Sequence, residues 1–373
     1  MRAMKHVLVA VASASLLLAA CGDAGSESAG GGDGLGVGDD YTVLGALAEL
    51  PPAPVSSFMV LTGDLTTAGE LAGLERPDEL DVAAVGAWLG PLTGGPSDDP
   101  VPVMVPGPEA LSQSSSQYED VHELAGWTLL DVDSFVEFST HPHVFTVVTG
   151  DFADDTLDHL PEVAEGVRTV GEGEDGLVNF DQISAVSRTG QPVRMALGEG
   201  KLALGGDTRV VQSWVTGVGQ TLADDESLAR LAVALDSVDV VSAMLVTKQL
   251  GGFAHFPMPS HDDLEIPDLE FLPEHPFSAV ALGWAVEGDE PRIVLAYHHF
   301  SADSAEASVD QLETLFAEGE TVRGGFALAD LMEGVEISAE GRVVTAVLRP
   351  VEPGTPRTVV NLLMNQDVPF IHQ

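Results

Sequence analysis

Short apolar runs separated by glycine, proline and acidic turns recur through the chain after its fortieth residue. Two of them have the same form, Phe58-Met59-Val60-Leu61-Thr62-Gly63-Asp64-Leu65 and Phe145-Thr146-Val147-Val148-Thr149-Gly150-Asp151-Phe152. Each offers an aromatic and β-branched strand buried by neighbours, a glycine for the exit, and an aspartate suited to the first turn of a helix. The spacing predicts helices over 65–74 and 154–160. A third copy runs over 293–300 and on into the amphipathic stretch 301–316, with His298-His299 in place of Gly-Asp. Together they predict a strand–helix unit used repeatedly.

Between these units the pattern changes to hairpins and single helices. Residues 194–197 and 201–204 flank Gly198-Glu199-Gly200 as one hairpin, and Thr208 is placed to cap a helix running to Trp214. A helix is predicted over 227–235 and an apolar strand over 238–247. Segments 277–286 and 293–300 form a second hairpin across 287–291, and 336–339 with 342–348 a third, turning at Glu340-Gly341. Hairpins with interspersed helices predict an α+β fold of antiparallel or mixed sheets. Residues 251–276, with five prolines and no period, read as a long exposed loop or a boundary between two lobes, 41–250 and 277–373.

The first forty residues differ from all of this. Arg2 and Lys5 precede an apolar run, Val7 to Ala20, that ends in Leu18-Ala19-Ala20-Cys21. Fourteen positions, twelve of them apolar, fall short of the roughly 20 needed to span a bilayer, so residues 1–20 read as a cleaved lipoprotein signal peptide. Cys21 is the expected lipidation site, its sulfur taking a diacylglyceryl group and the added palmitate-type chains making the anchor stable. It is also the single cysteine of the chain, so a disulfide within the chain is excluded. Residues 21–40 are almost wholly Gly, Ser, Ala and Asp, and read as a lipidated, disordered tether.

With 45 % hydrophobic residues the remainder has ample material for a core. Its charge is extreme: the full chain carries a formal net charge of −44. Removing Arg2 and Lys5 leaves 13 basic residues against 59 acidic ones. Such a surface repels phosphate backbones, which excludes nucleic acid, and it repels anionic headgroups, so membrane contact is expected through the lipid on Cys21 alone. The candidate partners left are a basic protein or divalent cations.

Gly126-Trp127, Asp131-Val132-Asp133, the strand at 144–151, the hairpin arm 201–205 and Asp367-Val368-Pro369-Phe370 occur in an order that resembles uncharacterised lipoproteins of high-GC Gram-positive bacteria. The resemblance covers most of the mature chain. It implies export and an anchor at the extracytoplasmic face of the cell membrane, and brings no activity with it.

Templates for chemistry are missing. The sequence has no nucleophile elbow, phosphate-binding loop or calcium loop, and His122-Glu123 fails as a zinc helix because Gly126 stands where the second histidine belongs. The polar residues that suit a divalent metal are His255, His261, Asp262 and His275 in the proline-rich stretch, with Asp263 and Glu265 beside them. Trp88, Trp127, Trp214 and Trp284 are expected in the core. The expected function is a non-catalytic binding or envelope-accessory lipoprotein without a cofactor. The alternatives are a ligand- or metal-binding lipoprotein, and a hydrolase whose site a single sequence does not reveal.

Overall fold

Twelve strands join edge to edge in one antiparallel sheet in the computed structural model, which describes residues 34–53, 55–95, 101–111, 117–140, 143–217, 219–247, 272–352 and 355–373. In chain order the strands are β1 (Met59–Asp64), β2 (Val132–Thr140), β3 (His143–Gly150), β4 (Glu162–Ala164), β5 (Val167–Val170), β6 (Val193–Gly198), β7 (Lys201–Gly205), β8 (Ser242–Thr247), β9 (Phe277–Glu287), β10 (Glu290–His299), β11 (Met332–Glu340) and β12 (Val343–Pro350). Across the sheet they lie β11-β12-β10-β9-β8-β1-β2-β3-β7-β6-β5-β4.

That order contains a duplication. β1, β2, β3, β7 and β6 lie side by side, with β5 and β4 added at the outer edge, and β8, β9, β10, β12 and β11 repeat the pattern of three successive strands followed by a hairpin laid down in reverse order. Because β1 and β8 pair antiparallel at the centre, the halves are related by an approximate two-fold axis normal to the sheet. Segments 41–250 and 277–373, expected as two lobes, thus contribute to one sheet. β8 pairs with β9 from Ser242↔Trp284 to Thr247↔Ala279, and Gly32–Gln373 forms one compact unit.

Helices cover both faces. α1 (Val43–Ala48), α5 (Thr208–Thr216) and α6 (Glu226–Asp236) bury Val43, Leu47, Val211, Leu228 and Leu231 against one face, with Val60, Phe138, Phe145 and Val147 of the sheet. α2 (Leu65–Leu71), α3 (Val82–Leu92), α4 (Tyr118–Ala125), α7 (Ala302–Glu318) and α8 (Thr355–Met364) pack on the other, with Phe135, Val148, Trp284 and Leu295. Two-sided burial explains why the strands read as unbroken apolar runs: every residue of β8 is buried. Among the described residues no helix is long and apolar enough to cross a membrane.

Several elements form as their residues dictate. Asp64 caps α2 by accepting the N–H of Thr67, and Asp225 caps α6 through the N–H groups of Ser227 and Leu228. The β6–β7 hairpin closes on Glu199-Gly200, where Gly200 has φ +62°, a left-handed conformation that glycine adopts without strain. The hairpin β9–β10 forms as expected, closing on Gly288-Asp289, and β11–β12 also forms but turns at Gly341-Arg342, one residue beyond the expected Glu340-Gly341.

Other expectations are corrected. Residues 154–160 form successive turns, with Thr156, Asp158 and Leu160 each bonding three residues back, and no helix. Asp151, Asp154, Asp155 and Asp158 crowd that segment with mutually repelling, poorly helix-forming side chains. β1 and β3 are therefore not equivalent strand–helix units. Both pair with β2, and it is Val60 that lies level with Phe145, across Phe138, so the sequence match is out of register by two residues. By position in the sheet β1 corresponds to β8, while β3 corresponds to β10, the third copy, which α7 follows as expected. Gly150 closes β3 because a Cβ there would run into the carbonyl oxygen of Asp131.

Asp207, one residue before the expected Thr208, caps α5. β8 starts at Ser242, four residues later than expected, since Asp239 takes φ +51° in the preceding turn. The folded body also reaches into the expected tether, because Leu35 is buried in the α1–α6 core and Gly38 N–H donates to buried Asp64 at 2.6 Å. Residues 1–33, Cys21 included, lie outside the described residues.

Candidate functional site

A cleft of about 350 Å³ opens on the sheet face that carries α2 to α4. Its floor is Phe135 of β2, fully buried, and its walls are Leu65 of α2, Leu89 and Thr93 at the end of α3, and Tyr118 at the start of α4. The fourth side is the extended stretch 103–111, contributing Val105, Gly107, Pro108 and Leu111. Gly63 lets this wall approach the sheet: a Cβ there would lie 2.8 Å from Val105 Cγ1 and 3.2 Å from the Phe135 ring. Ser242 fastens the same stretch by donating its hydroxyl to Met104 O at 2.6 Å.

Glu137 fixes the wall at its far end. It stands in β2 at the level of Leu61 and Thr146, 1 % exposed. Its Oε1 accepts the N–H of Glu109 at 2.9 Å, and its Oε2 accepts the N–H of Ala110 at 3.3 Å and the Thr146 hydroxyl at 2.8 Å. Burial pushes the carboxyl up to about 7, against the lowering effect of those three donors. Thr93 turns its hydroxyl back to the carbonyls of Leu89 and Gly90 at the end of α3. Tyr118 is 8 % exposed, burial raises its phenol, and no hydrogen bond among the described residues reaches its hydroxyl. Among the described residues the lining carries no lysine, arginine or carboxylate.

The histidines gather elsewhere. His255, His261, Asp262, Asp263 and Glu265 lie outside the described residues, as does His141. His275 is half-buried before β9, close enough to His299 for their charges to interact. His299 is 1 % exposed, with neither ring nitrogen hydrogen-bonded to a side chain or backbone group by geometry, and it stands edge-on to Phe277 at 6.1 Å, with His372 on that ring at 5.2 Å. Burial drives the His299 imidazole down to about 4. A bulge separates it from His298, whose Nδ1 meets the Ser278 hydroxyl at 2.8 Å and whose charged neighbours Arg342, Glu226 and Arg230 belong to the opposite face. Among the described residues no three metal-binding side chains converge.

The tryptophans divide as expected with one exception. Trp88, Trp127 and Trp284 are buried, whereas Trp214 is half-exposed and donates from Nε1 to Glu49 Oε2 at 3.0 Å. Glu49 also pairs with Lys201, joining α1 to the β6–β7 hairpin. Glu137 was the one legible signal for the cleft region, as a carboxylate inside the apolar run Phe135-Val136-Glu137-Phe138. Nothing local marks Leu89, Gly107 or Tyr118, which meet only in three dimensions.

The layers and site define a three-layer α+β protein with a cleft between its central sheet and one helical layer. No family model matches the chain, and no curated protein matches it either. It is similar to a solved structure, crystal form I of TP0453, with a TM-score of 0.40 and 8 % identity, over 85 % of this chain and 97 % of that one. No residue role is carried over from that likeness.

Proposed function

We propose that this chain is a lipid-anchored extracytoplasmic lipoprotein that acts by binding rather than by catalysis, with the cleft above Phe135 as its binding site. The cleft carries the reading: its volume of about 350 Å³ lies within the range of small-molecule pockets. The anchor rests on the sequence, with Cys21 following the only stretch built as a lipoprotein signal, and on the resemblance to lipoproteins of high-GC Gram-positive bacteria. Leu35, the first buried residue among those described, enters the core under α1 and α6, on the sheet face opposite the cleft. Attachment through this end leaves the cleft on the other side of the sheet. Cell fractionation of Cys21→Ser tests the anchor. Without the sulfur no thioether forms, and unprocessed or released protein is expected; mature-sized protein still held in the membrane overturns the assignment.

A further inference from the structure

We propose that the loop joining β5 to β6, residues 171–192, dips into the apolar layer of a neutral bilayer as a second membrane contact beside the lipid on Cys21. This rests on the anchored reading above and adds to it a contact surface that the charge of the chain did not suggest.

The loop is an exception on this surface. Leu177, Val178, Phe180 and Ile183 are all exposed, four large apolar side chains within seven residues, and Phe180 at 71 % is the most exposed of its kind among the described residues. Single apolar side chains scatter over any protein surface, but several gathered at one tip mark a contact. Hydrogen bonds fix the display. Asn179 donates its N–H to Thr189 O at 3.1 Å, and it accepts the N–H of Gln182 on its carbonyl and that of Asp181 on its side chain. Gly190, at φ +65°, lets the two arms close, since a Cβ there would lie 1.8 Å from Asn179 O. At the base, buried Arg194 donates to Asp175 Oδ1 at 2.9 Å and to Gly173 O at 2.8 Å, while Ala185 and Val186 of the same loop pack on the core.

Reach and charge favour a bilayer as the occupant. Gly34 follows Cys21 by thirteen residues, and covalent geometry limits that span to about 45 Å, so an anchored body stays at least that close to its membrane. Gly34 lies against Lys201 at the start of β7, where an added Cβ would come 2.7 Å from its Nζ. β5 is two strand spacings from β7, and the six residues of β6 lead from that end to the loop, so the base of the loop is about 20 Å from Gly34 and inside the limit. Four side chains too few to hold a free protein on a bilayer act at high effective concentration when the body is tethered. The loop carries Glu172, Glu174, Asp175 and Asp181 against the single base Arg188, so anionic headgroups repel it and neutral ones do not.

The single cysteine of the chain permits a direct test. The chain from Cys21 onward, which contains the whole compact unit Gly32–Gln373, is coupled through that thiol to a maleimide lipid in zwitterionic vesicles whose acyl chains carry bromine, a contact quencher of tryptophan. Phe180→Trp is expected to lose emission relative to unbrominated vesicles, well beyond any loss in the parent with its own four tryptophans. Adding Leu177→Asp and Ile183→Asp should lower the inserted fraction at least about tenfold, and making half of the lipid anionic should lower it as well. All three positions are exposed, so cooperative melting is expected to survive, and it is checked for each variant. Quenching no greater than in the parent overturns the proposal and leaves the tip to a partner protein. Quenching that persists in the cooperatively melting aspartate variant, or equal or stronger insertion into anionic vesicles, overturns it too. Indole emission that changes with protein concentration before vesicles are added assigns the tip to a second copy and likewise overturns it. The maleimide supplies the anchor whether or not a cell lipidates Cys21, so every outcome is independent of where Cys21→Ser fractionates.

Discussion

Replacing Glu137 with glutamine tests the electrostatics beneath the cleft wall. In the folded chain burial raises this carboxyl from its ordinary 4.5 to about 7. The folded state therefore holds a proton there that the unfolded chain has released, and stability from this group is fully present below about pH 4.5 and is lost as pH rises through about 7. At 1.36 kcal/mol per pH unit, an interval of that width corresponds to about 3 kcal/mol. Glutamine keeps the shape and never ionises. Its amide can accept from Glu109 N–H, and Thr146 can turn its hydroxyl to accept in return, although the Ala110 N–H no longer meets an acceptor at position 137. The absolute stabilities reflect every acid in the chain, so the informative quantity is the difference between parent and variant. Urea unfolding at pH 4.5, 6 and 8 should show the parent losing about 3 kcal/mol relative to Glu137→Gln across the series. A difference constant within about 1 kcal/mol would mean that the three donors hold the carboxylate ionised despite its burial, and would refute the reasoning.

His299 should behave in the opposite sense. Its imidazole falls from an ordinary 6.5 to about 4 in the fold, so its contribution is present above about pH 6.5 and is lost as pH falls toward 4. Relative to His299→Leu, the parent should lose about 3 kcal/mol between those values, and unfolding curves showing no such divergence would place a proton or a partner on that ring. Phe145→Ala removes a ring that is 3 % exposed and packed with Phe138 and Val211, and should cost about 3–5 kcal/mol in denaturant unfolding; a change below about 1 kcal/mol would contradict its burial.

Much of the local structure was legible because it is decided locally. Asp64 and Asp225 cap the helices they precede, Glu199-Gly200 and Gly288-Asp289 turn the hairpins they occupy, and the spacing of Leu228, Leu231 and Leu235 sets the face of α6. Capping and turn chemistry act within a few residues, so a linear reading finds them. The apolar runs also announced strands correctly, and their lack of alternation foreshadowed a sheet covered on both faces.

Pairing was decided elsewhere. The resemblance between 58–65 and 145–152 is real in composition, but β1 and β3 share β2 as a neighbour, and the structural duplication links β1 to β8 and β3 to β10, which differ in sequence. A buried strand needs apolar residues whichever strand it adjoins, so composition carries little information about partners. The site follows the same rule. The sequence alone supplied the charge, the expectation of export and the absence of a recognised catalytic motif, and it displayed Glu137 as an acid in an apolar strand. Only the folded chain brings Leu89, Gly107, Tyr118 and Phe135 around one cleft, and only there does Glu137 gain the backbone N–H groups of Glu109 and Ala110, 28 and 27 residues away. Local interactions fix caps, turns and strand propensity; register, cavity and the protonation of a buried acid depend on contacts between segments distant in the chain.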